Sequence, residues 1–408
     1  MIRKKIAIVA PYVILSDEKG YNRFRYICEL LVENGVDVEL FTSSFSHWEK
    51  QQRDIYKPEY QSQPYRLVFL DEPGYRKNID FRRIISHSIF AGNLKRSLAG
   101  RSDIDLIYCA VPTQNAAIVA GKYAKSRGIP FIIDVQDLWP EAMKLVFNVP
   151  VISDILFLPL KISSETAYSM ADAIVAVSDT YLNRAARSHQ NSKSNLTVYI
   201  GTDLDCFDKG VKDNFAKVNK SKDEFWVTYI GTLGASYDIK TLISAVSILH
   251  NKGLTNIRPM IVGDGPLRYD FERFAREAGV DAVFTGMLAY DLMAAYLKKS
   301  DIVANAIRKN APQSITNKIG DFLASGLPVV NGSNNEEFRE MVEKYKIGYN
   351  YVPEKAESMA EAIEKMYHNV HHRKIMGKNA RALAEKKFNR KITYEEIINL
   401  IKKIFPLS

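Results

Sequence analysis

Ile6-Ala7-Ile8-Val9-Ala10, a loop opened by Pro11, then Phe24, Ile27, Cys28 and Leu31 at i, i+3, i+4 and i+7, then Asn34-Gly35 and the run Val36 to Phe41: this stretch decides the fold class. The short apolar run predicts a buried strand, and the 3.6-residue spacing predicts one face of a helix from about Gly20. Asn-Gly closes that helix. Strand, helix and strand in succession form a unit whose parallel pair needs a right-handed crossover.

Working outward, the same alternation recurs at Leu106–Ala110, Phe131–Val135, Ala173–Val177 and Val198–Ile200, with helix-like segments between. The first half is therefore expected to be a doubly wound parallel sheet. Polar residues at 208–223 interrupt the pattern and read as a linker. Strand-like runs resume at Trp226–Ile230, Met260–Val262, Val283–Phe284, Ile302–Ala304, Pro328–Val330 and Gly348–Tyr351. The expected class is α/β, with two Rossmann-like domains facing a central cleft. Residues 1–205 form the first, residues 206–390 the second, and an amphipathic segment in 391–408 packs back on the first.

A chain of 408 residues exceeds one ordinary core and suits two domains. Hydrophobic residues at 46% and charged residues at 25% are those of a soluble globular protein. Met1-Ile2-Arg3-Lys4-Lys5 resembles the basic start of a signal, but the apolar run after it stops at Pro11, too short for a signal core or a span. Cys28, Cys109 and Cys206 are far apart, lack metal-ligand spacing and are expected to be buried thiols in a reducing cytoplasm. The net charge of +9 favours an anionic partner: a nucleotide, a lipid phosphate or nucleic acid.

In open parallel sheets, ligands bind beyond the carboxyl ends of the strands, so the loops after strands carry the functional reading. Gly231-Thr232-Leu233-Gly234-Ala235-Ser236 and Gly263-Asp264-Gly265-Pro266 are glycine-rich, which lets backbone N–H groups approach a phosphate. A third segment, Gln313-Ser314-Ile315-Thr316-Asn317-Lys318, leads into a helix that ends at Gly326, with Pro328 just beyond. Its amino end offers N–H groups and positive dipole to a diphosphate, and Lys318 adds a full charge there. Without an anion, a lysine in a first turn is badly placed for the dipole. Asp321, one turn in, is placed to hold a ribose diol. In isolation, a solvated Lys–Asp pair is the better explanation of this segment.

Taken together, these segments resemble the retaining GT-B glycosyltransferases of family 4, the branch that builds bacterial capsule, O-antigen and exopolysaccharide. The resemblance covers nearly the whole chain. It is carried by Asn22-Arg23-Phe24, Thr42-Ser43-Ser44-Phe45-Ser46-His47, Asp134-Val135-Gln136-Asp137-Leu138-Trp139-Pro140-Glu141 and Ala171 through Ser178, and further along by Gly231 through Gly234, Val262 through Pro266 and Lys318 through Pro328. It implies transfer from a nucleoside diphosphate sugar, a uridine one in the commoner family usage, to a glycan acceptor carried on a lipid diphosphate. It also implies retention of anomeric configuration, no cofactor and no metal. The donor site would include Gly231, Thr232, Gly234, Ser236, Gly263, Asp264, Gly265, Gln313, Ser314, Thr316, Asn317 and Asp321, with Lys318 stabilising the leaving diphosphate.

The departures from the family pattern matter. Gln313 and Asp321 stand where the family carries two glutamates. Thr232 and Tyr237 replace its arginine and lysine, so diphosphate charge must be met elsewhere, by Lys318 before Lys240 or Arg308. Gln136 replaces a histidine.

On the acceptor side, Asn22, Arg23 and Arg25 open the first helix, while Ser43, His47 and Lys50 follow the second strand. With Gln136 they either converge on an anionic acceptor or form a solvated loop, and Asp137 is placed to orient or deprotonate the acceptor hydroxyl. Trp139 is expected to fix its loop. Two further stretches, Arg76 to Arg101 and Leu145 to Leu160, are apolar and in part basic. They suit either core helices or peripheral contact with the anionic inner face of a membrane.

The competing readings are a sugar-nucleotide epimerase of the same architecture, a dinucleotide oxidoreductase and a non-enzymatic anion- or nucleic-acid-binding protein. No Gly-x-Gly-x-x-Gly opens the first helix, which argues against the oxidoreductase. The lysines are spread along the chain without a recognised binding module, which argues against the nucleic-acid binder.

Overall fold

In the first strand, neighbouring residues serve opposite layers: Ile6 and Ile8 pack in one core and Ala7 and Val9 in the other. A strand buried on both faces is apolar throughout, which is why these runs show no polar alternation. The computed structural model describes residues 3–18, 20, 23–77, 80–144, 151–189, 194–311 and 315–406. The chain divides into two compact units, Met1–Val198 with Tyr394–Ser408, and Tyr199–Thr393.

Unit 1 is a seven-stranded sheet of β1 (Lys5–Val9), β2 (Asp37–Ser43), β3 (Arg66–Leu70), β4 (Leu106–Val111), β5 (Phe131–Val135), β6 (Ala173–Ala176) and β7 (Ser194–Thr197). The order is β3-β2-β1-β4-β5-β6-β7, with every pairing parallel. The reversal of direction between β1 and β4 is the doubly wound switch point. Helix α1 (Arg23–Glu33) and the closing helix Glu395–Ile404 cover one face. Helices α2 (Phe81–Leu98), α3 (Gln114–Arg127) and α4 (Ile152–Ser169) cover the other.

Unit 2 repeats the plan with β8 (Phe225–Ile230), β9 (Ile257–Val262), β10 (Val283–Gly286), β11 (Ile302–Asn305), β12 (Val329–Asn331) and β13 (Gly348–Asn350), ordered β10-β9-β8-β11-β12-β13. All its pairings are parallel. Helices α5 (Ile239–Asn251), α6 (Arg268–Glu277) and α7 (Asn317–Ala324) follow β8, β9 and β11.

Four expectations are corrected. β3 was not anticipated: it is an edge strand whose middle residues are only half buried, so its apolar signal is weak. The strand expected at Val198–Ile200 lies earlier, at Ser194–Thr197. The stretch read as a linker begins inside a helix, Leu204–Asn214, whose buried Leu204, Phe207 and Gly210 recur at helical spacing. Cys206 on that helix is exposed, while Cys28 and Cys109 are buried. Among the described residues, no helix is long and apolar enough to cross a membrane.

Candidate active site

In unit 2 the loops after β8 and β9 lie against each other. Leu233 N–H donates to the Asp264 carbonyl at 2.9 Å, and Leu267 N–H to the Leu233 carbonyl at 3.0 Å. Gly263 has φ +146, and a Cβ there would strike the Gly231 carbonyl oxygen. Gly263 and Gly265 are thus required by loop-on-loop packing, and that packing leaves backbone donors open. Among the described residues, the N–H groups of Thr232, Gly234, Ala235 and Ser236 donate to no backbone carbonyl. A run of such N–H groups is an anion-binding feature.

Helix α7 brings its first turn to the same place. Thr316 is its N-cap, and its hydroxyl oxygen is buried without a hydrogen bond among the described residues. Ile319, Phe322 and Leu323 face the core, which turns Lys318 the other way. The Lys318 ammonium lies 3.0 Å from the Tyr229 hydroxyl and 3.5 Å from the centre of the Tyr237 ring. It also occupies the space a Cβ at Gly231 would need. Burial pushes its pKa down to about 7.

Asp321 is committed differently. Its Oδ1 accepts from the Thr202 hydroxyl and, at 2.8 Å, from Tyr290. Burial raises its pKa despite these donors. Asp264 caps its own loop by accepting from Gly265 N–H at 2.7 Å. Lys240 rests over the Phe274 ring, and Arg308 pairs with Glu354 at 3.3 Å.

At the strand ends of unit 1, Arg23 is buried and donates from Nε to Asp134 Oδ2 at 2.7 Å. It also donates to the Val198 carbonyl at 2.8 Å and the Tyr394 hydroxyl at 3.2 Å. Tyr108 and Gln136 complete the shell, each donating to Asp134 at 2.6 Å. Beside this lies a cluster of rings and cations. His47 bonds the Tyr75 hydroxyl, and His87 Nε2 lies 2.5 Å from the Tyr12 hydroxyl. Lys50 sits over Tyr75, and Arg83 over Tyr12, Tyr75 and Trp139. Burial first, then positive neighbours, push both imidazoles down to about 3. Asp137 accepts from Leu138 N–H at 2.9 Å and Tyr181 at 3.3 Å, and burial raises its pKa. Among the described residues, no group of His, Cys, Asp and Glu is arranged to hold a metal ion.

Residues 211–383 match the model for Glycosyl transferases group 1. The matched residues lie within unit 2. An uncharacterized glycosyltransferase of Methanocaldococcus jannaschii is 24% identical over 242 residues, 58% of this chain; the match spans 59% of that relative's length. Sucrose-phosphate synthase of Thermosynechococcus elongatus superposes with a TM-score of 0.73 at 20% identity over 100% of both chains. Anabaena HepE in complex with UDP gives 0.69 at 16% identity, over 98% of this chain and 100% of that one. HepE is also solved with UDP-glucose. The fold is GT-B: two α/β units, each built on a parallel sheet.

Within unit 2, Gly231, Thr232, Gly234, Ser236, Gly263, Asp264, Gly265, Thr316, Asn317 and Lys318 fall on the adjoining loops and the first turn of α7, while Asp321 Oδ1 is engaged by Thr202 and Tyr290. Gln313 and Ser314, like Asn22 in unit 1, lie outside the described residues. Tyr229 and Tyr237, which wall Lys318, were not singled out as its partners.

In unit 1 the acceptor assignments separate. His47 and Lys50 join the ring cluster. Arg23 and Gln136 both bond Asp134, a buried carboxylate that needs its charge and lone pairs met. Ser43 is fully buried, donates to Glu72 and accepts from Phe45 N–H. Arg25 pairs with Glu29 one turn on, at 3.9 Å. Tyr12, Tyr75, Arg83 and His87 were missed. Overlooking β3 hid Tyr75, which follows it.

Proposed function

We propose that the protein is a retaining glycosyltransferase. It moves a sugar from a nucleoside diphosphate donor, a uridine one, held by unit 2, to a hydroxyl of a lipid-linked glycan held by unit 1. The product belongs to a bacterial surface polysaccharide. The observation that carries the reading is Lys318: a desolvated ammonium set against a loop of open backbone N–H groups and the first turn of α7. That combination fits a group whose negative charge grows during reaction. As the bond from the anomeric carbon to the diphosphate breaks, charge builds on the leaving oxygen, and preorganised donors lower that barrier. The remaining loop residues on these strands, with Asp321, frame the donor. Asp137 orients the incoming hydroxyl, and its raised pKa suits a group that receives the proton. The UDP and UDP-glucose complexes of HepE support the choice of donor, and the glycosyl transferase match of residues 211–383 speaks against the epimerase.

The acceptor's lipid places the enzyme at the inner face of the cell membrane. Support comes from α2 and α4, which expose Phe81, Ile84, Ile85 and Ile89, and Ile152, Ile155, Leu156, Leu158 and Ile162. Arg76, Lys77 and Arg82 are exposed beside the first group. Apolar side chains next to cations suit an anionic interface.

The test is a panel of nucleotide sugars screened for thermal stabilisation, followed by transfer assays with the best one. UDP-sugars stabilising the chain, with sugar appearing on a lipid acceptor, is the result expected. No stabilisation by any nucleotide sugar would sink the reading.

A further inference from the structure

Strand β4 ends at Val111, and the chain turns through Pro112 and Thr113 into α3. β1 and β4 flank the point where the order of the sheet reverses, so the amino end of α3 lies at the crevice where open parallel sheets bind ligands. The loop after β5 is fastened beside it, because Gln136 N–H donates to the Val111 carbonyl at 2.8 Å. Asp137, the next residue, is therefore delivered one strand over from the head of α3.

The head of α3 is buried and its donors are open. Thr113 is the N-cap, in the extended conformation that lets a cap hydroxyl accept from the first turn, yet its side chain accepts from none of those N–H groups. By contrast, Ser178 at the head of helix Asp179–Ala186 accepts from Tyr181 N–H at 3.2 Å. Among the described residues, the N–H groups of Gln114, Asn115 and Ala116 find no acceptor, and no acidic side chain stands in the first turn. The side chains add to this. The Thr113 hydroxyl oxygen and Gln114 Nε2 are buried with no hydrogen-bond partner among the described residues, on residues only 1% and 3% exposed. Buried polar groups are nearly always paired, so donors left open together mark a binding place. Asn115 holds the turn, donating from Nδ2 to Ser88 Oγ at 3.1 Å, and its partial exposure gives the place an edge toward solvent.

The donor set defines what fits. Three backbone N–H groups, an amide and a hydroxyl are all neutral and all able to donate, which suits an oxyanion. A helix amino end carries about half a positive charge, and the first turn of α3 adds no cation, so one negative charge is matched better than two. A carboxylate has that charge, and its two oxygens accept about four hydrogen bonds.

We infer that the amino end of α3 binds the carboxylate of an acidic sugar in the acceptor, with Thr113 and Gln114 as its side-chain ligands. The inference rests on the reading of unit 1 as the acceptor side and names the acceptor's class: a glycan whose receiving unit is a uronic acid. With its carboxylate on α3, that sugar turns a hydroxyl toward the loop of Asp137.

The experiment titrates glucuronate into the full chain, with glucose and glucose 1-phosphate as separate arms. NMR follows the backbone N–H resonances of Asn115 and Ala116 and the side-chain amide of Gln114. Saturable shifts with glucuronate are expected, with glucose bound at least about tenfold more weakly for want of the charge. Gln114→Glu, which sets a like charge in the place, should abolish binding. Gln114→Met and Thr113→Val should each weaken it about three- to tenfold. Thermal unfolding shows that the variants fold, and Gln114→Met should melt no lower than the parent, because it removes a buried amide without a partner. The inference is overturned by resonances that glucuronate leaves unmoved, by glucose 1-phosphate binding more tightly than glucuronate, by binding indifferent to the folded Gln114 variants, or by a lower melting temperature of Gln114→Met. UDP is read separately: if it fails to stabilise the chain, the proposed function fails, while the glucuronate titration still decides this site.

Discussion

Lys318 Nζ stands 3.0 Å from the Tyr229 hydroxyl and 3.5 Å from the centre of the Tyr237 ring. Tyr237 occupies a place where the resembled family carries a basic side chain, so the charge reaches this spot from α7 instead. An ammonium held on two rings puts a positive charge next to the open N–H groups after β8, but loses solvation, which pushes its pKa down to about 7.

Replacing Lys318 by Met should therefore lower kcat by about 10²- to 10³-fold, the range for losing one group that stabilises leaving-group charge. Circular dichroism should be unchanged, and thermal stability below pH 7 should hold or rise, because the variant no longer desolvates an ammonium. A kcat within twofold of the parent would assign the diphosphate to other groups.

The same amine sets a pH dependence. It titrates near 7 in the folded chain against an ordinary 10.5. Between those values the unfolded chain holds a proton that the folded chain has shed, so stability rises with pH across that window. Below pH 7 both states are protonated and the burial penalty is complete. Denaturant melts from pH 6 to 10 should show a rise in the parent that is reduced in Lys318→Met. UDP, which favours the charged amine, should bind more weakly above pH 7, by at most about tenfold per pH unit; an affinity flat from pH 6 to 9 contradicts this.

Substitution at the loop glycines should separate two costs. Gly231 has φ +129, and a Cβ there meets the flexible end of Lys318, whereas at Gly263, φ +146, it meets the Gly231 backbone carbonyl. Gly263→Ala should destabilise the chain more than Gly231→Ala, each by at least about 1 kcal/mol from backbone strain. Gly231→Ala should also weaken UDP binding by pushing the ammonium aside. Equal melting temperatures for the two variants would refute the ordering.

Arg23→Met leaves Asp134 buried with its charge unmatched, at a cost of about 3–5 kcal/mol. The double variant Arg23→Met/Asp134→Leu should recover part of that, and chemical denaturation measures both. If unit 2 binds UDP as proposed, that binding should be unchanged in the folded Arg23→Met protein. A shift in stability below 1 kcal/mol would deny the pair its structural role.

Ile155 and Leu156 on α4 are 68% and 57% exposed. Changing both to Asp should alter folding stability by no more than about 0.5 kcal/mol each, as at other exposed positions. Flotation with anionic vesicles should fall sharply. Undiminished flotation of the double variant would remove α4 from the membrane proposal.

Much of this was legible locally. The apolar runs at residues 6–9 and 226–230 and the helical spacing of Ile319, Phe322 and Leu323 are short-range patterns. Each states a period, and a period states an element. Glycines at 231 and 263 marked the loops that adjoin. By contrast, Arg66–Leu70 escaped because an edge strand needs less apolar surface. The helix Leu204–Asn214 was hidden by polar residues, Asp205, Asp208 and Lys209, on its outer face.

The sequence by itself determined two parallel-sheet units and the position of Lys318 at the start of a helix, because strand period, helix period and capping are properties of neighbours in the chain. Only the tertiary structure decided what each charge does. Arg23 and Arg83 are both arginines near strand ends. One meets Asp134, 111 residues away, and is sealed in the core. The other meets Tyr12, 71 residues away, and stays on the rim. Charge and burial depend on partners brought together by folding, and no local spacing encodes which partner arrives.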